Sequence, residues 1–500
     1  MSSPSSDVTA GVDGGFDPAV LERHALPAEA KKKLIAAVGP RGYLDRPQDL
    51  SLYEYDGSID KARPELVVFP QTTEEVAAVV RITAEYGIPI VGRGAGTGLS
   101  GGEIPRAGGV LIGFSRMNRI LEIDLANERA TVQPGVVNLD ITLAVQGSGY
   151  FYAPDPSSQK ACTIGGNVAE NSGGPHTLAY GVTTNHVLGL EFVTPDGTIH
   201  STGGKEPDQP GFDLVGLLTG SEGTMVLVTK IIVRLMRAPE KIKTILAVYN
   251  SASDCADTVA EITACAITPV AVEMLDGEML RMVEMATHAG YPLDAAAVLL
   301  IELEGLTEQV EDQVAQIEQV CRRCGVREFR VAKSAEEREL LWKGRKNAFG
   351  AVGRVSTSYY VQDGVVPRTQ VAPTLRFIAQ VAEKHQVRIS NIFHAGDGNL
   401  HPIILFNSRD PEDLERARSA GEEILGYCIS VGGSITGEHG VGMEKNELMA
   451  RLFSPESLEY IGKFKALFDP AQRLNPGKVL PTGRGCLEIR QAPFSRRSAV

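Results

Sequence analysis

Ile88-Pro89-Ile90-Val91 runs without a break into Gly92-Arg93-Gly94-Ala95-Gly96-Thr97-Gly98, and the reading of this junction decides the fold. A short apolar run bounded by turn residues reads as a buried strand. A segment that then gives up so many side chains brings bare backbone N–H groups close to an anion, for which a pyrophosphate is the common case. The spacing differs from the dinucleotide fingerprint, and no acid about 20 residues on reads as a ribose partner. Taken alone, the loop leaves a phosphate cradle and a tight structural turn both open.

Upstream, the run Glu65 to Pro70 predicts a strand, and Thr72 or Thr73 can cap a helix with Glu74 and Glu75 in its first turn. Apolar positions Val76, Val79, Val80 and Ile82 give that helix one buried face before it stops near Gly87. Downstream, from Gly109 to Val233, many short β-branched runs are separated by glycines, and Pro195-Asp196-Gly197 marks a hairpin between Leu190–Val193 and Gly197–His200. After Pro239 the texture changes. A strand at Thr244–Tyr249 precedes helical stretches near Asp254–Thr263 and Gly277–Met285, an apolar strand at Ala297–Glu302, a long amphipathic helix, and another at Ala335–Gly350. A further helix starts at Asp410-Pro411 and ends at Gly432-Gly433. The main boundary falls near 238–243.

Five hundred residues exceed what one core usually organises. A net charge of -13 argues against a nucleic-acid partner, which needs basic surface. No apolar run approaches the roughly 18 to 20 residues that span a bilayer. Residues 1–15 are rich in Ser, Gly and Asp, with no basic and apolar regions of a secretory signal, and read as a flexible leader. Seven scattered cysteines suit a reducing compartment, and the lone Cys321/Cys324 pair, inside a helical pattern, reads as ordinary cysteines.

A second glycine-rich stretch raises the phosphate reading of the first. Pro154-Asp155-Pro156-Ser157-Ser158 is a rigid turn, followed by Thr163 to Gly174, with Gly165-Gly166, Asn171 and Gly173-Gly174; later comes Gly220-Ser221-Glu222-Gly223-Thr224. The set resembles the FAD-binding domain of vanillyl-alcohol-oxidase-type flavoproteins. That resemblance implies an α+β architecture: an FAD-binding domain of two subdomains (26–240), an α/β cap or substrate domain with an antiparallel sheet (241–455), and a C-terminal helical segment (456–485) returning to the FAD domain. A leader (1–25) and a tail (486–500) flank them. It also implies that Arg93, Gly94, Ala95, Gly96, Thr97 and Gly98 hold the diphosphate. Pro154, Asp155, Ser158, Gly165, Gly166, Asn171, Gly173 and Gly174 would line the rest of the cofactor path, with Glu222, Gly223 and Asn475. Some members attach FAD through a His in the first loop. Arg93 to Gly102 holds neither His nor Cys, so the FAD is expected to be non-covalent.

The second half carries a sharper constellation. Ile389 to Phe406 contains two apolar runs around Asp397-Gly398, the preferred pair for a two-residue type I′ loop. That turn would set Gly396 against Asn399 and His394 directly opposite His401. Two facing imidazoles, with Cβ atoms about 4.5–5.5 Å apart, can grip one divalent ion. Ser434-Ile435-Thr436-Gly437-Glu438-His439-Gly440 offers a carboxylate and another imidazole between glycines. It is otherwise a polar loop capping a helix that starts near Met443. Two His plus one carboxylate leave coordination positions open, as a catalytic metal requires.

Together with Leu341 to Phe349 and the terminal Leu474-Asn475-Pro476-Gly477-Lys478, these motifs resemble the 2-hydroxy-acid dehydrogenase branch of the same family, which includes glycolate- and D-lactate-oxidising members. The resemblance implies that His394, His401 and Glu438 hold a divalent metal, zinc before manganese or iron. His439 would be the base, and Arg345 would grip the substrate carboxylate, unless Arg345 is a surface residue of its helix. A lysine that recognises a second carboxylate in the 2-hydroxyglutarate branch, near Val361 or Gln362, is missing here, which favours glycolate or D-lactate. Hydride from C2 would reach the flavin and leave to an external acceptor, because the chain has no iron-sulfur or haem motif of its own. Iron-sulfur and second flavin-fold subunits of an oxidase complex, a homo-oligomer, and a cytoplasmic location with indirect attachment to the inner membrane are implied in the same way. Two other readings stay open: a non-catalytic flavin or electron-transfer subunit, and a sugar-type oxidoreductase on the same FAD domain.

Overall fold

A computed structural model describes residues 21–23, 25–206 and 210–482. Most of the expected leader and all of the tail lie outside them. The apolar runs on either side of the first helix form a small sheet. Leu66–Val68, Val110–Gly113 and Ile90–Arg93 run parallel, with Tyr43–Leu44 antiparallel at one edge. The helix Thr73–Glu85 crosses between them. The Thr72 hydroxyl accepts the Glu75 N–H, and Val76, Val79 and Val80 are buried against the sheet.

A second, antiparallel sheet takes the order Ile120–Asp124, Arg129–Val132, Leu227–Arg234, Val187–Val193, Ile199–Gly203. The expected hairpin is present, with Gly197 at φ 80° in its turn. The helix Ile164–Glu170 packs on this sheet through Ile164 and Val168. Residues 473–475 return to the first sheet: Ile90 N–H donates to Arg473 O (2.8 Å) and Asn475 N–H to Ile90 O (2.7 Å).

The rest of the chain builds one eight-stranded sheet, antiparallel in every pairing, running from Glu328–Val331 through Lys241–Tyr249, Ala297–Gly305, Ala271–Asp276, Arg388–His394 and Asn399–Phe406 to Ser358–Val361, with Gly364–Val365 also on Asn399–Phe406. Strand parity sorts its side chains. One face is dry and lies under the helices Ala252–Ala264, Thr307–Arg323, Val371–His385 and Pro411–Ser430. The opposite face is covered by Gly277–Thr287, Ala335–Lys346 and Ala348–Val352. That face also carries buried acids and imidazoles, Glu273, Glu302, His394 and His401. Buried charge needs partners, and theirs come from the helix Ala335–Lys346, from one another, from the first half of the chain and from the loop after Ser434.

Two expectations about helices are corrected. The helix over Ala335–Gly350 breaks at Asn347, whose side-chain amide donates to Lys343 O at 2.8 Å and competes with the backbone ladder. No helix begins at Met443. The Val441 and Gly442 N–H groups go to Glu222, and those of Met443 and Glu444 to Ser100 O, so the first helical turn waits until Asn446. Cys321 and Cys324 are both free. Among the described residues, no helix is long and apolar enough to cross a membrane.

Candidate active site

The two glycine-rich segments face each other. A β-carbon at Gly94 would lie 2.3 Å from Thr163 Oγ1, and one at Gly165 would lie 2.6 Å from Pro134 Cβ, so only glycine permits this approach. Arg93, Gly94, Gly165, Gly166, Glu222, Gly223 and Asn475 line a narrow cleft between them. The Arg93 Nη1 and Thr163 Oγ1 atoms there are buried without a hydrogen-bond partner. Bare backbone, a buried guanidinium and unanswered polar atoms fit the phosphate-bearing part of FAD.

The cleft shares Thr163, Gly166, Glu103 and Glu170 with a cavity of about 370 Å³. Ala95, Thr97, Gly98 and Ser158 line this cavity on one side; Arg345, His394, His401, Glu438 and His439 line it on the other. Six expected cofactor residues do not reach either space. Gly96 backs onto the Arg93 guanidinium, Pro154 O accepts from Asn138, and Asn171 caps a helix at φ 52° while its Oδ1 accepts the Thr184 N–H. Gly174 packs on the Asp155 carbonyl and Gly173 beside Glu438 Oε2. Asp155 is engaged in an ion-pair network.

The hairpin register differs from the expected one. His394 pairs with Asn399 and His401 with Ile392, so the loop holds four residues, Ala395 to Gly398. A type I′ turn needs positive φ at both central residues, and of Asp397 and Gly398 only Gly398 (φ 74°) has it. The two histidines are therefore diagonal neighbours on one face, with ring centroids 5.0 Å apart and edge to face. Their Nε2 atoms converge on a single oxygen, Glu438 Oε1, at 3.0 and 3.1 Å. The outer nitrogens are tied down: His394 Nδ1 to Glu273 Oε1 (2.8 Å), His401 Nδ1 to the Gln362 carbonyl (3.1 Å). A carbonyl only accepts, so His401 Nδ1 carries a proton. Burial disfavours a charged His394, but Glu273 and Glu438 outweigh it and lift its pKa to about 10. Burial likewise opposes ionisation of Glu438, yet the two imidazoles hold it well below the usual carboxylate range. Two Nε2 atoms and a carboxylate oxygen within 4.8 Å of one another can hold a cation. Asp363, His401 and His439 make a second such group; Asp363 Oδ1 lies 3.8 Å from His401 Nδ1 and is buried without a hydrogen-bond partner, while that nitrogen is spent on the Gln362 carbonyl.

His439 stacks on His401, with centroids 4.8 Å apart and planes 6° off parallel. Burial above all pulls its pKa down to about 4, so it is neutral at pH 7, as a base must be. Its Nε2 lies 3.9 Å from Glu438 Oε1.

Arg345 is not a surface residue. It is 1% exposed, donating through Nε to Glu273 Oε2 at 2.6 Å, with Nη2 3.5 Å from His394 Nδ1. Part of its fork is thus committed before any ligand arrives. Arg338 and Trp342, on the same helical face, both donate to Glu302 (2.6–2.9 Å). His176 reaches from the FAD-binding half to close this system, 2.9 Å from Asp155 and 3.2 Å from Glu302, while Lys346 also binds Asp155 at 3.0 Å.

Sequence reasoning missed Asp363, Glu273, Glu302 and His176. Asp363 Oδ2 accepts the Thr436 hydroxyl (2.6 Å) and the successive N–H groups of Gly437, Glu438 and His439 (3.0, 3.1, 2.8 Å), fixing the loop that carries both functional side chains. One clue was available: Glu273 and Glu302 each interrupt an apolar run, and an acid inside a buried strand demands a partner.

Comparison with known proteins places these features. Residues 64–203 match the family described as FAD binding domain, and residues 238–479 the family FAD linked oxidases, C-terminal domain. The glycolate oxidase subunit GlcD of Escherichia coli strain K12 is 44% identical over 443 residues, covering 88% of this chain and 89% of that one. The D-lactate dehydrogenase of Anaerostipes hadrus is 33% identical over 430 residues, covering 84% and 90%. The crystal structure of p-cresol methylhydroxylase superposes with a TM-score of 0.79 over 93% of this chain and all (100%) of that one; at 19% identity it shows the shared two-domain fold alone. With identity of this extent along nearly the whole length of such relatives, and an FAD-binding domain joined to the matching C-terminal domain, the chain belongs to the FAD-linked oxidase family.

Proposed function

We propose that this chain oxidises a small 2-hydroxy acid, glycolate or D-lactate, to the 2-oxo acid with FAD and one divalent metal, and passes the electrons to an external acceptor. The observation that carries the reading is the convergence of His394 Nε2 and His401 Nε2 on Glu438 Oε1, beside a neutral His439, in a cavity continuous with the glycine-lined cleft. The nitrogen and oxygen donors suit zinc first, then manganese or iron. A cation held there would act as a Lewis acid on the 2-hydroxyl. FAD, bound non-covalently in the glycine-lined cleft, would supply the acceptor for the hydride that leaves C2.

The residues divide the remaining work. His439 takes and holds the hydroxyl proton at Nε2. Arg345 offers the substrate carboxylate what Glu273 leaves free of its guanidinium, and Glu273 keeps that guanidinium oriented. Among the described residues, a second carboxylate finds no further free cation on the wall: Lys346 is paired with Asp155, Arg345 is partly committed to Glu273, and Val361 and Gln362 are buried. This supports a monocarboxylate. The description of the glycolate oxidase relatives as a subunit supports partner subunits that receive the electrons; iron-sulfur and second flavin-fold subunits are the partners in this proposal. The test is anaerobic addition of glycolate, D-lactate, L-lactate or D-2-hydroxyglutarate to the yellow protein, with and without EDTA. Bleaching of the flavin by glycolate or D-lactate, suppressed by EDTA, is expected; a flavin that none of them reduces refutes the reading.

A further inference from the structure

One buried acid between the two glycine-rich segments has no part in the chemistry above. Glu170 ends the helix Ile164–Glu170 and lines both the narrow cleft and the cavity that holds His439. It is clamped by bare backbone. A β-carbon at Gly102 would lie 2.4 Å from its Oε1, and one at Gly440 would lie 2.0 Å from its Oε2. The same point at Gly440 is 3.0 Å from Glu222 Oε1, which leaves at most about 5 Å between the two carboxyl groups. They differ in one respect. Glu222 accepts the Val441 and Gly442 N–H groups at 2.7 Å each, whereas Glu170 Oε2 is buried with no partner at all.

Two carboxylates this close, out of water, cannot both ionise. The charge settles where hydrogen bonds stabilise it, on Glu222, and the proton on Glu170. Among the charged groups around Glu170, Glu222, Glu103 and Asp56 oppose a further negative charge there, while Lys445 and Lys478 favour it. Burial first, then Glu222, pushes the Glu170 pKa well above the ordinary carboxyl range. A neutral carboxyl has a hydroxyl to donate, and a buried donor without an acceptor is costly.

We propose that Glu170 is held as the neutral acid by its neighbour Glu222 and donates its hydroxyl hydrogen bond to the bound flavin, tuning the flavin's reduction potential. This rests on the reading that the reacting end of the flavin occupies the cavity shared with His439. Reduction adds negative charge to the flavin, so a donor held there favours the reduced form. Glu170 is a tuning residue and takes no proton from the substrate.

The experiment is a dye-equilibrated reductive titration of the holoprotein without any substrate, so its outcome is independent of which hydroxy acid is oxidised. Wild type is compared with Glu170→Gln, which still donates, and Glu170→Leu, which cannot. Loss of one hydrogen bond to a charged acceptor lowers the reduced-to-oxidised ratio at fixed potential about tenfold, a fall of about 30 mV for a two-electron couple. That fall is expected for Glu170→Leu, while Glu170→Gln stays near wild type. An unchanged potential in Glu170→Leu, or an equal fall in both variants, overturns the proposal. Should Glu170→Leu fail to retain FAD, the reduced-minus-oxidised infrared spectrum decides from wild type and Glu170→Gln alone. A protonated-carboxyl C=O band that shifts on reduction and vanishes in Glu170→Gln is expected; its absence from wild type, or its persistence in the variant, overturns the assignment.

Discussion

Replacing Asp363 by Asn keeps the shape of the side chain and removes only its charge, which makes it the sharpest probe of the loop carrying Glu438 and His439. Oδ2 of Asp363 collects three consecutive N–H groups and the Thr436 hydroxyl at 2.6–3.1 Å, and Lys445 Nζ lies 3.5 Å away. The carboxyl and Lys445 are both buried, at 0% and 2% exposure. Burial alone would keep Asp363 protonated, but its imidazole and lysine neighbours hold it far below the usual carboxylate range, so the native group is an anion. An amide oxygen can still accept these bonds. Each then drops from a charge-assisted to a neutral bond, a loss of about 1 kcal/mol apiece. The substitution also strands Lys445, and breaking a buried pair is generally worth about 3–5 kcal/mol. The two effects overlap, so Asp363→Asn should destabilise the cap half by about 3–5 kcal/mol in total, lowering Tm by about 10 °C. Because the weakened bonds are those of residues 436–439, loosening the loop by even about 1 Å should reduce kcat some 10²-fold. Differential scanning fluorimetry and steady-state turnover with a dye acceptor measure both. A variant with native Tm and native kcat would refute the claim that this anion organises the site.

Three further outcomes follow from the same geometry. His439→Ala should lower kcat by about 10²-fold or more while retaining FAD; near-native turnover with unchanged flavin content removes His439 as the base. Glu438→Gln should lose the metal, measured by elemental analysis, with FAD still bound; equal metal content in variant and wild type rejects the proposed ligand set. At the domain boundary, burial works against a charged His176, but Asp155 and Glu302 overcome it and raise its pKa to about 10 from an ordinary 6.5. A raised histidine stabilises fully below about pH 6.5 and loses that contribution as pH climbs through about 10. Glu302, whose pKa falls to about 2 from 4.5 because its cationic partners outweigh burial, loses its contribution on the acid side instead. Tm of the wild type should therefore decline from pH 6.5 towards 10, and His176→Gln should flatten that decline; parallel pH profiles would exclude His176 as its source.

What could be read from the chain and what could not separate along physical lines. The glycine-rich loops were legible because the requirement is for a missing side chain: Gly94 against Thr163 and Gly165 against Pro134 tolerate no β-carbon, so residue type reports the contact directly. The capping of Thr73–Glu85 by Thr72 and the start of Pro411–Ser430 after Asp410 were legible because caps act within one turn. Glu273 and Asp363 were not. Their partners, His394 and His439, lie 121 and 76 residues away, and no local periodicity encodes which distant group meets a buried acid. Arg345 shows the same limit from the other side. Its chemistry was evident, but the carboxylate that occupies it first comes from a strand 72 positions earlier.

The hairpin shows why a wrong turn left the convergence of the two histidines intact. Asp397-Gly398 suggested a two-residue loop, and the actual loop takes in Ala395 and Gly396 as well. Taking both extra residues from the first strand and none from the second moves the pairing by two, so His394 faces Asn399 instead of His401. Side chains repeat with a period of two along a strand, so a shift by two carries His401 along its strand without turning it over. Both imidazoles stay on the face that carries Glu273, one step apart diagonally, and diagonal spacing lets Nε2 of each reach the same oxygen of Glu438. A shift by one would have sent His401 into the dry core beneath the helices. The inference that the two histidines converge therefore depended on parity, which the pleat of these strands secures by sending Phe393, Leu400 and Ile404 to the dry core and Ile392, Ile403 and Leu405 to the other face, and hardly at all on the turn type from which it was first drawn.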